Sequence, residues 1–300
     1  MQYTNDLNLP QPIADAIIND PYSSGDADIS ITSLISPPQK VALEKLYQDQ
    51  ITRDVSDEIY ALMGKSTHNI LEQADTSAIK EQRLYIKESG WTISGQFDRL
   101  CMINKSLQDY KMASVYEYIN GVKQERYEQL NCYAEMIRQN YPEDQWPEKL
   151  EVIYIFRDWS KRKAQFDKNY PKHQVAVIEI EMWDSDATQW FIKEHVAEHQ
   201  MAREAEGSPR TCRDSERWKE PTKYALMKMG RKRAIKLYTN AEEAEEARAK
   251  DTGLDLYIET RHGEATRCLH YCNASPFCTQ FKNEQKIEEE IVFKQAMEGS

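Results

Sequence analysis

Gly95-Gln96-Phe97-Asp98-Arg99-Leu100, a short turn, and Leu107-Gln108-Asp109-Tyr110-Lys111 form the stretch from which the rest of the chain is read. Apolar and polar residues alternate on both sides of Asn104-Lys105, the pattern of two antiparallel strands joined by a tight turn. With Asn104-Lys105 as a two-residue loop, Ile103 pairs with Ser106 and Asp98 falls opposite Lys111. Asp98, Asp109 and Lys111 then share one face. Two carboxylates and an ammonium on one face suit a divalent metal held by hard oxygen ligands, with a lysine near the attacking water.

Outward from this hairpin, the period of two extends over strands near 83–89, 91–103 and 106–113. Upstream, Ser30-Ile-Thr-Ser-Leu34 followed by Pro37-Pro38 marks a helix start. Helical periodicity then runs through Val41, Leu43, Leu46 and Tyr47, and again from Val55 to Leu71, the second run carrying His68. Residues 1–29 mix Pro, Asn, Asp and Ser and read as an extended lead-in. Downstream, a helix over 124–139 carries Gln129 and Tyr133 on one face at i, i+4 spacing. Strands follow at 152–156 and 175–182, and an amphipathic helix at 185–204. Residues 30–205 therefore form an α/β core, a mixed sheet flanked by helices.

Beyond Gly207 the texture changes to a small α+β subdomain, 206–300. It comprises a hairpin around Tyr224–Lys228 and Ala234–Tyr238, a helix at Ala241–Lys250, a strand at Asp255–Thr260, and a terminal helix at Ile287–Met297. Cysteines bound the module: Cys212 before it, and Cys268, Cys272 and Cys278 after it. Three cysteines within so short a span are a metal-site signal. Cys101 and Cys132 read as small core residues.

The chain has 300 residues, 40% hydrophobic and 30% charged, an ordinary globular composition. No apolar run approaches the ~20 residues that span a bilayer, so no membrane is expected. Met1–Asp6 has neither a basic nor an apolar leader pattern, and the expected setting is the cytoplasm, a host's cytoplasm if the chain is viral. A formal charge of −11 excludes coating nucleic acid by bulk electrostatics, so phosphate binding must be local. One locality qualifies: Arg217, Lys219, Lys223, Lys228, Arg231, Lys232 and Arg233, interleaved with Trp218 and Tyr224. The same run also reads as a solvated basic face.

Gly-x-x-Asp at 95–98, Asp109-x-Lys111, His68 upstream on a helix and Gln129-x-x-x-Tyr133 downstream come in a particular order. In these features the chain resembles the PD-(D/E)XK nucleases, specifically their RecB-type exonuclease branch, over residues 30–140. The resemblance implies catalysis by Asp98, Asp109 and Lys111. It implies Mg²⁺ or Mn²⁺ on His68, Asp98, Asp109 and Tyr110, and a DNA strand held by Gln129 and Tyr133. Arg231, Lys232 and Arg233 would add DNA contacts. The implied activity is exonucleolytic, in recombination, repair or phage replication, alongside a recombination or single-strand-binding protein. Several relatives, among them CRISPR-adaptation nucleases, hold a [4Fe-4S] cluster on a C-terminal cysteine triplet plus one upstream cysteine. This chain has Ser36-Pro37 where those have Cys-Pro, so Cys212 must be the fourth ligand, and Zn²⁺ competes with iron–sulfur.

Two other readings stand beside this one. His195-Val-Ala-Glu198-His199 matches the His-x-x-Glu-His pattern of inverted zinc peptidases, against a solvated helix face. A non-catalytic DNA-binding or assembly protein on a nuclease fold is the other, and the intact Asp98, Asp109 and Lys111 speak against it.

Overall fold

In the computed structural model, residues 2–20, 25–74, 78–205, 211–250 and 255–287 are described. They belong to two compact units, 1–209 and 210–300.

In the first unit, β1 (Gln2–Thr4), α1 (Gln11–Ile18), β2 (Ile29–Ser30), α2 (Ile31–Leu34), α3 (Pro38–Leu46), β3 (Thr52–Asp54) and α4 (Ile59–Ala74) precede the main strands. These are β4 (Ile79–Glu88), β5 (Trp91–Cys101) and β6 (Ser106–Ala113). Next come α5 (Val115–Ile119), α6 (Gln124–Asn140), β7 (Lys149–Phe156), α7 (Lys161–Phe166), β8 (Val175–Ile180) and α8 (Ser185–Glu204). The lead-in expected to be extended instead holds β1 and α1. Pro10 and the proline in the first turn preset the helical backbone there, and Ala14 and Ile17 bury themselves against Val55.

The six-stranded sheet runs β2-β5-β6-β7-β8, with β4 also on β5. The β2–β5 and β6–β7 pairs are parallel; β4–β5, β5–β6 and β7–β8 are antiparallel. The sheet is thus mixed and flanked by helices. α6 crosses it, and every residue from Leu130 to Ile137 is buried, so this helix is covered on all sides. Its buried polar side chains are answered. Asn131 donates to the carbonyls of Tyr127 and Glu181 and accepts from Trp183 N–H, while Glu135 accepts from Ser185 and Gln189 at the start of α8.

Two features of β5 differ from the alternation read in the sequence. The turn to β6 spans residues 102–105, with Lys105 in the left-handed region (φ 49), so Cys101 pairs with Ser106 and Arg99 with Gln108. One step further, Asp98 comes level with Asp109 rather than Lys111. Burial also changes phase along the strand: Ile93, Gly95 and Phe97 are buried, then Leu100 and Cys101. At the phase change the β4–β5 ladder is interrupted. It runs through Lys80–Arg99 and resumes at Gln82–Phe97, skipping Glu81, whose φ is 48. A non-glycine residue held there costs on the order of 1–3 kcal/mol, and such strain clusters at sites that do chemistry.

In the second unit, β9 (Lys223–Lys228), β10 (Lys236–Tyr238), α9 (Ala241–Lys250) and β11 (Leu256–Arg261) form a three-stranded sheet in the order β10-β9-β11 with one helix, followed by α10 (Thr266–His270). Its buried apolar residues are mostly small: Ala225, Ala244, Ala265 and Ala274, with Leu226, Met227 and Cys278. Residues 279–287 are helical, and the rest of the expected terminal helix lies outside the described residues. Among the described residues no helix is long and apolar enough to cross a membrane.

Candidate metal centre

Three elements deliver ligands to one point: α4 brings His68, β4 brings Glu81 and β5 brings Asp98. One ligand atom from each lies within 4.8 Å of the others. His68 Nδ1 is 3.4 Å from Asp98 Oδ1 and 3.8 Å from Glu81 Oε1. The other ring nitrogen, Nε2, is 3.1 Å from the Tyr110 carbonyl, a contact that assigns its proton there and leaves Nδ1 for the carboxylates. Tyr110 also donates its N–H to Asp98 Oδ2 at 2.7 Å. It was expected among the metal contacts. Its carbonyl meets His68 and its N–H meets Asp98, so the Tyr110 backbone orients both side chains and its carbonyl keeps a second lone pair.

Hydrogen bonds to Asp98, and then to Glu81, push the His68 imidazole up to about 10, against burial, which works the other way. In the metal-free chain the ring is therefore an imidazolium in neutral solution, with a proton held between the carboxylates.

Asp109 does not join the trio. It is 2% exposed, and the Lys111 ammonium meets its carboxylate at 2.6 Å. Burial pushes this carboxyl up and the lysine pulls it back. A buried carboxylate needs a positive partner, and Lys111 is two residues along the same strand. Where three metal ligands were expected in His68, Asp98 and Asp109, the structure clusters His68, Asp98 and Glu81, with the Asp109–Lys111 pair beside them.

Glu81 escaped the sequence reading because it lies in a charged run, Lys80-Glu-Gln-Arg83, ahead of where β4 was taken to start. The available signal was register: a β4 beginning at Ile79 and antiparallel to β5 sets Glu81 level with Asp98.

Gln129 donates to the Tyr133 hydroxyl at 3.0 Å, and Thr32 bonds the same hydroxyl. Tyr133 is only 5% exposed, and burial pushes its phenol well above the usual range. Expected among the DNA contacts, Tyr133 is here enclosed, with its hydroxyl receiving the Gln129 amide. It anchors the half-buried Gln129. Arg231, Lys232 and Arg233 stand exposed in the second unit, in the turn between β9 and β10.

The zinc-peptidase pattern is not assembled. His195 Nδ1 contacts the Phe191 carbonyl at 2.9 Å, and its ring lies over Phe191 at 3.9 Å between centroids. His199 is 3% exposed, with Nε2 3.0 Å from the Leu34 carbonyl, and burial lowers its pKa to about 4. One histidine packs on its own helix and the other is a neutral core residue.

None of the four C-terminal cysteines is joined in a disulfide. Burial first, and then neighbouring groups that include the other thiols, push Cys212 up to about 12 and Cys268 up to about 11. Among the described residues no three of these sulphurs come as close together as the His68 trio. The segments bearing them are also knitted without any metal. Gln280 exchanges hydrogen bonds with the Cys212 backbone, Arg217 pairs with Asp214 and Glu284, and Arg267 donates to the Glu216 carbonyl.

No protein-family model and no curated protein matches this chain. Among solved structures it is similar to the crystal structure of SSO0001, with a TM-score of 0.45 and 17% identity over 69% of this chain and 89% of that one. It is also similar to a phage related exonuclease from Haemophilus somnus 129PT, with a TM-score of 0.29 and 12% identity over 65% of this chain and 79% of that one. Likeness of this degree carries no argument, and the site is read from its own geometry.

Proposed function

We propose that the chain is a metal-dependent nuclease that hydrolyses phosphodiester bonds in DNA, as an exonuclease on DNA ends. The observation that carries this reading is the convergence of His68, Glu81 and Asp98 within 4.8 Å, beside the buried Asp109–Lys111 pair. Oxygen-rich sites with one imidazole fit Mg²⁺ or Mn²⁺. His68, Glu81 and Asp98 would hold the ion, with Asp109 adjoining. Bound there, it would lower the pKa of a water and neutralise charge on the phosphate.

The chain's own groups do the remaining work. The Tyr110 backbone fixes the His68 ring and one Asp98 oxygen, so the ligands need little reorganisation. Lys111 supplies positive charge where the phosphate oxygens gain negative charge. Gln129, braced by buried Tyr133, offers an amide to the strand. Arg231, Lys232 and Arg233 supply a phosphate contact in the second unit, which a chain of charge −11 needs to have localised.

For the cysteines the same reading assigns Cys212, Cys268, Cys272 and Cys278 as thiolate ligands of a [4Fe-4S] cluster or of Zn²⁺, and iron content against zinc content separates the two. A recombination or single-strand-binding protein as partner, and action in the cytoplasm, belong to the same proposal.

The test is direct. End-labelled single- and double-stranded DNA is incubated with the purified chain and Mg²⁺ or Mn²⁺, and product length is followed in time. Shortening from an end that Asp98→Asn abolishes is the expected result. Intact DNA with either metal would refute the reading.

A further inference from the structure

The Glu81 carboxylate is not left to find its own orientation. Its Oε2 accepts a hydrogen bond from Gln96 Nε2 at 2.8 Å, and Gln96 Oε1 accepts from Arg83 Nη2 at 2.7 Å. Arg83 and Gln96 are register partners across β4 and β5, and Gln96 lies two residues before Asp98 on β5. A guanidinium can only donate and an ionised carboxylate can only accept, so the amide between them has one allowed orientation. The opposite oxygen, Oε1, is the one turned towards His68. Glu81 also occupies the gap in the β4–β5 ladder at φ 48, so the ladder does not hold its backbone at that point.

We propose that Arg83 and Gln96 form a positioning relay that fixes Glu81 as a carboxylate ligand of the divalent cation, completing a site otherwise limited to His68 and Asp98. This rests on the metal reading above and adds to it. Gln96 and Arg83 would not touch the ion. They would determine whether Glu81 meets it, as hydrogen-bond partners behind metal ligands do, and loss of such a partner typically weakens metal binding by about 10–100-fold.

The experiment measures metal binding without DNA and without turnover, on the full chain, by titrating Mn²⁺ and following free Mn²⁺ by electron paramagnetic resonance. Gln96→Met keeps length and bulk but cannot bond, and it should weaken Mn²⁺ binding by about 10–100-fold, as should Glu81→Gln. Arg83→Met should weaken it in the same direction. The Arg83→Met/Gln96→Met pair should be no worse than Gln96→Met alone, because both act through one relay. Asp98→Asn should abolish binding in any case. If Asp98→Asn abolishes binding while Glu81→Gln, Gln96→Met and Arg83→Met bind as the parent does, the relay is overturned and the metal site stands. If Arg83→Met and Gln96→Met add independently, the two do not act as one relay. A parent chain that takes up no Mn²⁺ overturns the metal reading and this inference with it.

Discussion

Gly95→Ala tests the packing that supports the site. A Cβ at Gly95 would lie 2.5 Å from Met136 Sδ, 2.9 Å from Tyr133 Cε1 and 3.1 Å from Ile31 Cγ1. The Met136 side chain is flexible but fully buried, so it can give way only by displacing its neighbours, and Tyr133 is held as well, its ring buried and its hydroxyl bonded to Gln129. The methyl therefore forces α6 off β5 or twists Tyr133, and overpacking of this kind costs about 1–3 kcal/mol. For a unit near 200 residues that lowers the melting temperature by roughly 3–10 °C. The sign is informative, because Gly95 is not in the left-handed region. A glycine kept for no steric reason would gain about 0.4–1 kcal/mol on becoming alanine. Calorimetry on the parent, Gly95→Ala, Met136→Ala and the double variant gives both sign and coupling. The double variant should recover at least ~0.5 kcal/mol relative to additivity. A stabilised Gly95→Ala, or strict additivity, would refute the claim that α6 rests on the glycine.

On the proposed function Lys111→Ala should abolish DNA hydrolysis, and it should destabilise the metal-free chain by about 3–5 kcal/mol, since it strands the buried Asp109 carboxylate. Chemical denaturation should show part of that loss restored by Mn²⁺, and a variant as stable as the parent without metal would count against the pairing. His199 has a folded pKa of about 4, below its ordinary 6.5, so its contribution is complete above about pH 6.5 and is lost as pH falls through about 4. At ~1.4 kcal/mol per unit this amounts to about 3 kcal/mol. His199→Gln should flatten the stability profile in that window, and an unchanged profile would argue that the ring is not the core residue described. On the proposed cysteine site, Cys272→Ser should lower the iron or zinc content of the purified chain and raise protease sensitivity in residues 210–300. Because Gln280, Arg217 and Arg267 already tie those segments together, cleavage should be faster rather than complete.

The helix at 185–204 was legible to the residue, because its buried residues keep a helical period and Asp184 caps its start. The strand at 106–113 was bounded by the turn before it and by Ser114, which caps the next helix, although 106–109 are buried in succession. The chemistry-bearing residues of β5 and β6 were legible as a set, but their geometry was not. An alternating pattern assumes one phase per strand, and β5 changes phase between Phe97 and Leu100. The trace of that change is the adjacent polar pair Asp98-Arg99, which a strict alternation does not contain. Tyr133 was placed at the substrate on the strength of spacing, yet residues 130–137 include only Glu135 as a charged side chain, the composition of a helix buried on every side. α1 was missed because prolines at a helix start resemble a loop in composition, and only position distinguishes them.

The strand registers bring Glu81, Asp98 and Asp109 level across β4, β5 and β6. Three carboxylates so placed repel one another, and the chain meets them with two cations, imidazolium His68 and the Lys111 ammonium. The metal-free cluster thus keeps one net negative charge. His68, Glu81 and Asp98, holding a divalent ion in place of the His68 proton, would gain one net positive charge, which would bring the cluster to neutrality. A phosphate approaching the first state meets repulsion in a partly buried site, where charge is weakly screened. One approaching the second meets none, with Lys111 free to turn from Asp109 towards it. On the proposed reading the ion therefore does more than activate water. On that reading the surplus of carboxylates over cations in the cluster would hold a phosphate off until an ion is bound, and the strained backbone at Glu81 is part of how that surplus is assembled.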